Sequence, residues 1–362
     1  MFTHKSFIRG GSAGWSHYQG PFPHQLPDGR VILLITAYKE QETFLDNAVY
    51  YCTSTDKGET WSEPEVFMAA PDANLSHTTM LSLRGTKKVL LFWRETFFKG
   101  ATIDSKTISN NRDAARSNAR VFVRISEDSG RTWSAPRQID MIGEISAKRF
   151  FYGCPLVPQE LKSGRIILPF TYLTEDGYTH NAVFMLSDDG GETWVHSYDV
   201  PVAAPRGAME PTPVEIEPNQ LYCLLRTKAG YLYEARSTDG GATWSETKSS
   251  GIPTPESMPQ LLKLKSGNCL LVWNSQSSVE NFPRWPMTAA LSTDGCRTWA
   301  FKRDIATETG RNSLSNHGIT QLDDGRILLA LSHYHALKPT SSDIETVLFD
   351  EDWVRGEGQP RP

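Results

Sequence analysis

The chain has 362 residues, a formal net charge of −5, 39% hydrophobic and 22% charged residues, a balance ordinary for a soluble protein with material for a sizeable core. The acidic surplus, with no basic cluster, argues against a nucleic-acid partner. No apolar run approaches the roughly 20 residues that span a bilayer. The opening MFTHKSFIRGG also lacks the apolar centre of a secretory leader, so the expectation is a cytoplasmic protein with no membrane partner.

The first predicted element is a strand entering the hairpin QLPDGRVILLI, followed by AVYYCTS, which runs into the turn STDKGETW at Ser54. The pattern then returns. SLRGTKKVLLFW is followed by a polar insertion over 96–119, by RVFVRIS and by SEDSGRTW at Ser126. ELKSGRIILPF leads through NAVFMLS to SDDGGETW at Ser187, and EIEPNQLYCLLR through YLYEARS to STDGGATW at Ser237. KLKSGNCLLVW leads through MTAALS to STDGCRTW at Ser292, and QLDDGRILLAL opens a last unit whose turn has lost its Ser and Gly. The hairpin residues Gly29, Gly85, Gly164, Asn219, Gly267 and Gly325 recur at intervals of about 50 to 80 residues. Four antiparallel strands repeated in six units predict an all-β fold, a single six-bladed β-propeller over 1–362, with the N-terminal strand completing the last blade. The five cysteines, Cys52, Cys154, Cys223, Cys269 and Cys296, lie scattered, mostly in apolar runs. They read as reduced, packed thiols, with no metal-ligand spacing and no cofactor implied.

In each S-x-D-x-G-x-T-W turn the Ser and Asp side chains can bond backbone N–H groups, Gly permits a positive φ, and the Trp is expected to plug the hairpin. Five equivalent carboxylates around a ring cannot converge on one reaction centre, so these turns read as scaffold. They resemble the Asp boxes of the sialidase superfamily, and the likeness runs from the first unit to the last. It implies the sialidase-type propeller, and it does not by itself fix an activity.

The boxes join strands three and four and therefore share one rim. The opposite rim collects the starts of strand one (Gln19, His77, Tyr152, Glu210, Glu256, His317). It also collects strand-two ends, including Arg94 and Arg226, and strand-three starts, including Asp46, Arg120, His180 and Arg284. So many Arg and His side chains at one mouth of an acidic chain point to an anionic substrate group, since a guanidinium grips a carboxylate with two hydrogen bonds.

Residue by residue, the resemblance assigns Arg226 and Arg284 to two places of a carboxylate-binding arginine triad, and Glu210 to the place of the residue that polarises the nucleophile. Gln19 or Gly20 stands where the first arginine of the triad is expected, and His317 where the family has its nucleophilic Tyr. Asp46 is a loose counterpart of the acid/base Asp.

The expected function is that of a sialidase-like glycoside hydrolase releasing a terminal acidic sugar from a glycan or oligosaccharide. Glu210, His317, Asp46 and Tyr152 are its catalytic candidates, and Arg226, Arg284, Arg94, Arg120, Gln19 and His77 its binding candidates. The nucleophile would be Tyr152, Tyr334 or water. A uronate-directed lyase or hydrolase with His317 or His77 as a near-neutral base and Tyr152 as acid is the second reading. A carbohydrate-binding propeller without turnover is the third.

Overall fold

The computed structural model describes residues 1–39, 47–70, 73–97, 119–139, 156–174, 178–280, 282–337 and 340–357. Strand β1 (Phe2–Ile8) is followed by β2 (His17–Gln25), β3 (Val31–Tyr38), β4 (Asn47–Ser54) and β5 (Glu65–Ala69). Next come β6 (Ala73–Ser82), β7 (Val89–Phe97), β8 (Ala119–Ser126) and β9 (Arg137–Gln138), then β10 (Gln159–Glu160), β11 (Ile166–Leu173), β12 (His180–Ser187) and β13 (Val195–His196). β14 (Met209–Glu217), β15 (Gln220–Arg226), β16 (Tyr231–Ser237) and β17 (Lys248–Pro253) precede β18 (Gln260–Lys263), β19 (Cys269–Asn274), β20 (Met287–Ser292) and β21 (Ala300–Ala306). The chain ends with β22 (Ser313–Gln321), β23 (Ile327–His335), β24 (Ser341–Phe349) and the short helix α1 (Glu351–Arg355).

The fold is an all-β propeller. Among the described residues, β6–β9, β10–β13, β14–β17 and β18–β21 each form a four-stranded antiparallel sheet. The remaining eight strands form one sheet, in which β22–β23–β24 with β1 on its edge meets β2–β3–β4–β5 through a single parallel pairing of His17 with Ser342. The N-terminal strand therefore completes the C-terminal unit, pairing Phe2 with Phe349 through to Ile8 with Ile344, as the sequence led us to expect.

The hairpins between first and second strands repeat one device. The backbone N–H of Gly29, Gly164, Gly267 and Gly325 each donates to the carbonyl of a leucine three residues back, at 2.9 to 3.0 Å. All four glycines have φ near +90°, which a side chain would strain. Those leucines, Leu26, Leu161, Leu264 and Leu322, are buried. The second strands are enclosed on both faces, β3 and β19 along their whole length, which is why they read as unbroken apolar runs.

The core lies between neighbouring units rather than within one. Phe92 and Leu90 of β7 pack with Phe170 of β11, Phe184 of β12 with Leu221 of β15, and Leu270 of β19 with Leu329 of β23. The Trp residues of the turns belong to these seams. Trp194 and Trp244 each close their own turn by donating Nε1–H to the carbonyl of Gly191 or Gly241, at 3.2 and 3.1 Å, and also reach the preceding unit, where Trp194 meets the edge of Phe92 at 5.7 Å and Trp244 stacks on Phe184 at 4.5 Å. Cys52, Cys223, Cys269 and Cys296 are buried thiols; Cys154 lies outside the described residues. Among the described residues no helix is long and apolar enough to cross a membrane.

Candidate active site

The rim opposite the Ser/Asp/Trp turns is built by a repeated irregularity. In β2 two residues stand between Gln19, opposite Thr36, and Phe22, opposite Leu34, while the partner strand spends only one. The same two-against-one bulge lies between Ser76 and Thr79 of β6, Met209 and Thr212 of β14, and Ser315 and Gly318 of β22. Its first residue is left-handed each time: Gly20 (φ 57°), His77 (54°), Glu210 (48°) and Asn316 (47°). For a residue with a Cβ this conformation costs on the order of 1–2 kcal/mol. Such strain clusters where a side chain must be aimed.

The residue across from each bulge's entry is Thr36, Arg94, Arg226 or Ser332. In β14 and β15 this places a carboxylate against a guanidinium. Arg226 Nη1 donates to Glu210 Oε2 at 2.8 Å, and Thr171 Oγ1 on β11 accepts from the Glu210 backbone N–H at 2.8 Å, fixing the bulge. Both side chains of the pair are largely enclosed, at 11% and 17% exposure, where a charge-assisted bond is least weakened by water. In β6 and β7 the same two places hold His77 and Arg94. Burial, with the Arg94 charge adding to it, drives His77 down to about 3, so its imidazole is neutral. Its Nδ1 has no hydrogen-bond partner among the described residues.

The third cluster lies where β22 meets β19. Arg284, almost fully buried, bridges to Ser313, and its carbonyl accepts from the Leu314 N–H at 2.9 Å. Its Nη1 donates to Asn316 Oδ1 at 3.5 Å, and its guanidinium lies 5.0 Å over the Phe282 ring. His317 has 0% exposure and its Nε2 sits 3.0 Å from the Val272 carbonyl. Burial pushes it down to about 4; the Val272 carbonyl and the Glu210 carboxylate pull the other way, and Arg284 adds to the depression. His317 thus feels the charges of both Glu210 and Arg284.

Of the residues singled out from sequence, Glu210 and Arg226 bond each other, Arg284 bonds Asn316 next to His317, and His77 follows Ser76, the residue opposite Arg94. Gln19 is half-buried at the entry of the β2 bulge, its Oε1 without a partner among the described residues, and Arg120 is exposed at the start of β8. Asp46 and Tyr152 lie outside the described residues. Neither histidine has the near-neutral titration expected of a general base: loss of solvation lowers both, with Arg94 adding to the effect at His77 and Arg284 at His317. Glu256, read as a rim residue, is committed to an ion pair with Arg206.

Sequence reasoning missed Asn316, the true counterpart of Glu210. The signal was present: Gly20, Glu210 and Asn316 each stand nine residues before the turn residues Gly29, Asn219 and Gly325. Among the described residues no group of three or more His, Cys, Asp or Glu side chains is arranged to hold a metal ion.

A propeller braced by Asp boxes on one rim, with a buried Glu–Arg pair and a second arginine on the other, is the architecture of the sialidase superfamily. The chain belongs to that superfamily and, within it, to the BNR repeat-like domain family, whose model matches residues 105–329. It is 26% identical to a sialidase of Micromonospora viridifaciens over 379 aligned residues, 98% of this chain and 55% of that protein. To a sialidase of Bacteroides fragilis it is 29% identical over 203 residues, 54% of this chain and 36% of that protein. The chain thus spans about half the length, or less, of these curated relatives. Among solved structures it resembles the NanB sialidase of Streptococcus pneumoniae (TM-score 0.75, 16% identity, 96% of this chain and 70% of that one). It also resembles a protein of unknown function from Dyadobacter fermentans (TM-score 0.73, 20% identity, 95% and 97%). Those likenesses bear on the fold.

Proposed function

We propose that the chain is a sialidase-like, exo-acting glycoside hydrolase that releases a terminal acidic sugar from a glycan or oligosaccharide. Its scaffold is read as a ring of six four-stranded blades, in which the eight-stranded sheet counts as two blades joined at His17 and Ser342. The observation that carries the function is the constellation on the bulge rim: Glu210 held by Arg226 at 2.8 Å, and Arg284 oriented by the neutral amide of Asn316.

The arrangement suits a sugar acid. Arg284 and Arg226 hold the carboxylate with charge-assisted hydrogen bonds, which places the anomeric carbon beside Glu210. Positive charge accumulating at that carbon as the leaving oxygen departs is then stabilised by the Glu210 carboxylate, in a pocket where water screens little. His77 with Arg94, and Gln19 at the equivalent bulge of β2, supply the polar contacts for the rest of the sugar ring. Arg120, on the exposed margin, is assigned to the leaving group.

The low basicity of both buried imidazoles favours hydrolysis over elimination, since proton abstraction next to a uronate needs a stronger base. Release of 4-methylumbelliferone from its sialoside, followed alongside unsaturated-uronate absorbance on uronate polymers, tests the reading. Fluorescence that disappears in Glu210→Gln supports it. Uronate absorbance without fluorescence replaces it with the lyase, and glycan binding without either product leaves a binding module.

A further inference from the structure

We propose that Cys269 and Cys296 are a disulfide-forming pair: a disulfide oxidant such as glutathione disulfide joins them, and the bond staples the fifth Ser/Asp/Trp corner to the strand beside it. The pairing is independent of what the opposite rim catalyses.

Two positions of the repeat face each other at every corner. The first lies on the second strand, opposite the corner's serine: Val31 across from Ser54, Val89 from Ser126, Ile166 from Ser187, Leu221 from Ser237 and Cys269 from Ser292. The second is the fifth residue of the corner, which is Gly58, Gly130, Gly191, Gly241 or Cys296. Its backbone N–H donates to the Oγ of that same serine in each corner, at 2.8 to 2.9 Å, which folds it back over the strand pair. In the fourth unit the approach can be measured: a Cβ on Gly241 would stand 3.2 Å from Leu221 Cδ1.

The fifth unit changes both positions, and both become cysteine. Cys296 holds a φ of 62°, in the left-handed region that the other four corners give to glycine and that a side chain enters at a cost. Packing alone does not call for this, since an aliphatic residue and a glycine fill the two places elsewhere.

The two cysteines share one buried cluster with Leu271 and Ala290, and the Cys296 thiol donates to Cys269 Sγ. Lys263 Nζ also stands 4.0 Å from Cys269 Sγ. The Cys296 hydrogen bond and, against burial, the Lys263 charge lower Cys269 below the ordinary thiol value; the same contact, with burial, raises Cys296. Cys269 is therefore the attacking sulfur and Cys296 the resolving one. Cys52 and Cys223 lie in separate seams.

Both sulfurs are buried in the folded chain, so exchange takes place while the corner is open, during folding or in local unfolding. The Cys269 thiolate attacks one sulfur of glutathione disulfide and expels a glutathione thiolate, leaving a mixed disulfide. Cys296 then gives up its proton and attacks Cys269 Sγ, and the second glutathione thiolate leaves with the bonding pair. The cysteines lose two electrons and two protons, and one glutathione disulfide becomes two glutathione thiols. β19 and β20 pair from Cys269–Ser292 to Asn274–Met287, so the bond fixes the end of that ladder away from Arg284.

The test incubates the purified chain with glutathione disulfide in urea just below its unfolding transition, quenches with iodoacetamide, and digests with trypsin, which cuts after Lys265, Arg284 and Arg297. Peptides 266–284 and 285–297 should be recovered as one linked species that dithiothreitol separates. Both peptides alkylated, capped by glutathione or linked to other cysteines would overturn the proposal. Thermal unfolding gives a second reading. Reduction should lower the midpoint of the oxidised wild type by about 5 °C and leave that of Cys296→Gly, which restores the residue of the other corners, where it was. A wild-type midpoint indifferent to reduction, or an equal fall in Cys296→Gly, would show that no staple forms.

Discussion

The two rims of the propeller repeat in opposite ways. At the Ser/Asp/Trp corners both side chains and bonds are copied: Ser donates to Asp at 2.8 Å in all five, and the Thr backbone N–H donates to the same carboxylate at 2.8 to 3.0 Å. At the bulges the backbone is copied and every side chain differs, from Gly20 to His77, Glu210 and Asn316. A repeat that keeps its side chains is bracing the fold. One that keeps only its backbone has freed its side chains for a site of mixed chemistry, and the difference separates scaffold from function without reference to any relative.

That division can be broken by finding a corner that affects turnover or a bulge that affects only stability. The largest effect is expected at Glu210→Gln, which should lower kcat about 10³-fold and leave the unfolding midpoint within a few degrees. Rates and thermal melts on the same preparations check both halves. Arg284→Lys replaces the guanidinium fork by a point charge and should raise KM about 10- to 100-fold for an acidic sugar, with little effect on a neutral analogue.

At the corners the expectation reverses. A Cβ on Gly191 would overlap Leu90 Cδ2 of the preceding unit, at a φ of +92°. Gly191→Ala should therefore cost about 2–4 kcal/mol of stability while kcat per folded molecule stays constant, measured by denaturant titration and active-site counting.

The smallest effect concerns pH and sharpens the contrast with a titrating cluster that ties β1 to β23 and β24. His4 of β1 and His333 of β23 both bond Glu345 at 2.7 Å. Although burial opposes it, these bonds bring Glu345 from the usual 4.5 to about 2. Burial also works against His333, but Glu345, Glu308 and Asp343 raise it above 6.5. A depressed carboxylate stabilises above pH 4.5 and loses that contribution as pH falls towards 2. A raised imidazole stabilises below 6.5 and loses its contribution as pH rises through its folded value. Hydrogen exchange should therefore find β1 best protected between about pH 4.5 and 6.5. Uniform protection from pH 4 to 8 would show that β1 is held by its backbone ladder alone.

The corners and hairpins were legible because each is a local device, complete within eight to twelve residues. So was closure by the N-terminal strand, since the last unit lacked a partner. Glu210, Arg226 and Arg284 could be placed on one rim by topology. Asn316 could not be read from alternation, because a bulge inserts one residue and shifts the parity of every side chain after it. The protonation of His317, and the reach of Trp194 and Trp244 into the preceding unit, depend on contacts between repeats that no single repeat encodes.

The account stands most directly on where an acidic sugar binds. A crystal structure with N-acetylneuraminic acid should show its carboxylate against Arg226 and Arg284, with the anomeric carbon facing Glu210. A sugar seated at the Ser/Asp/Trp corners, or with its carboxylate turned away from both arginines, would contradict it.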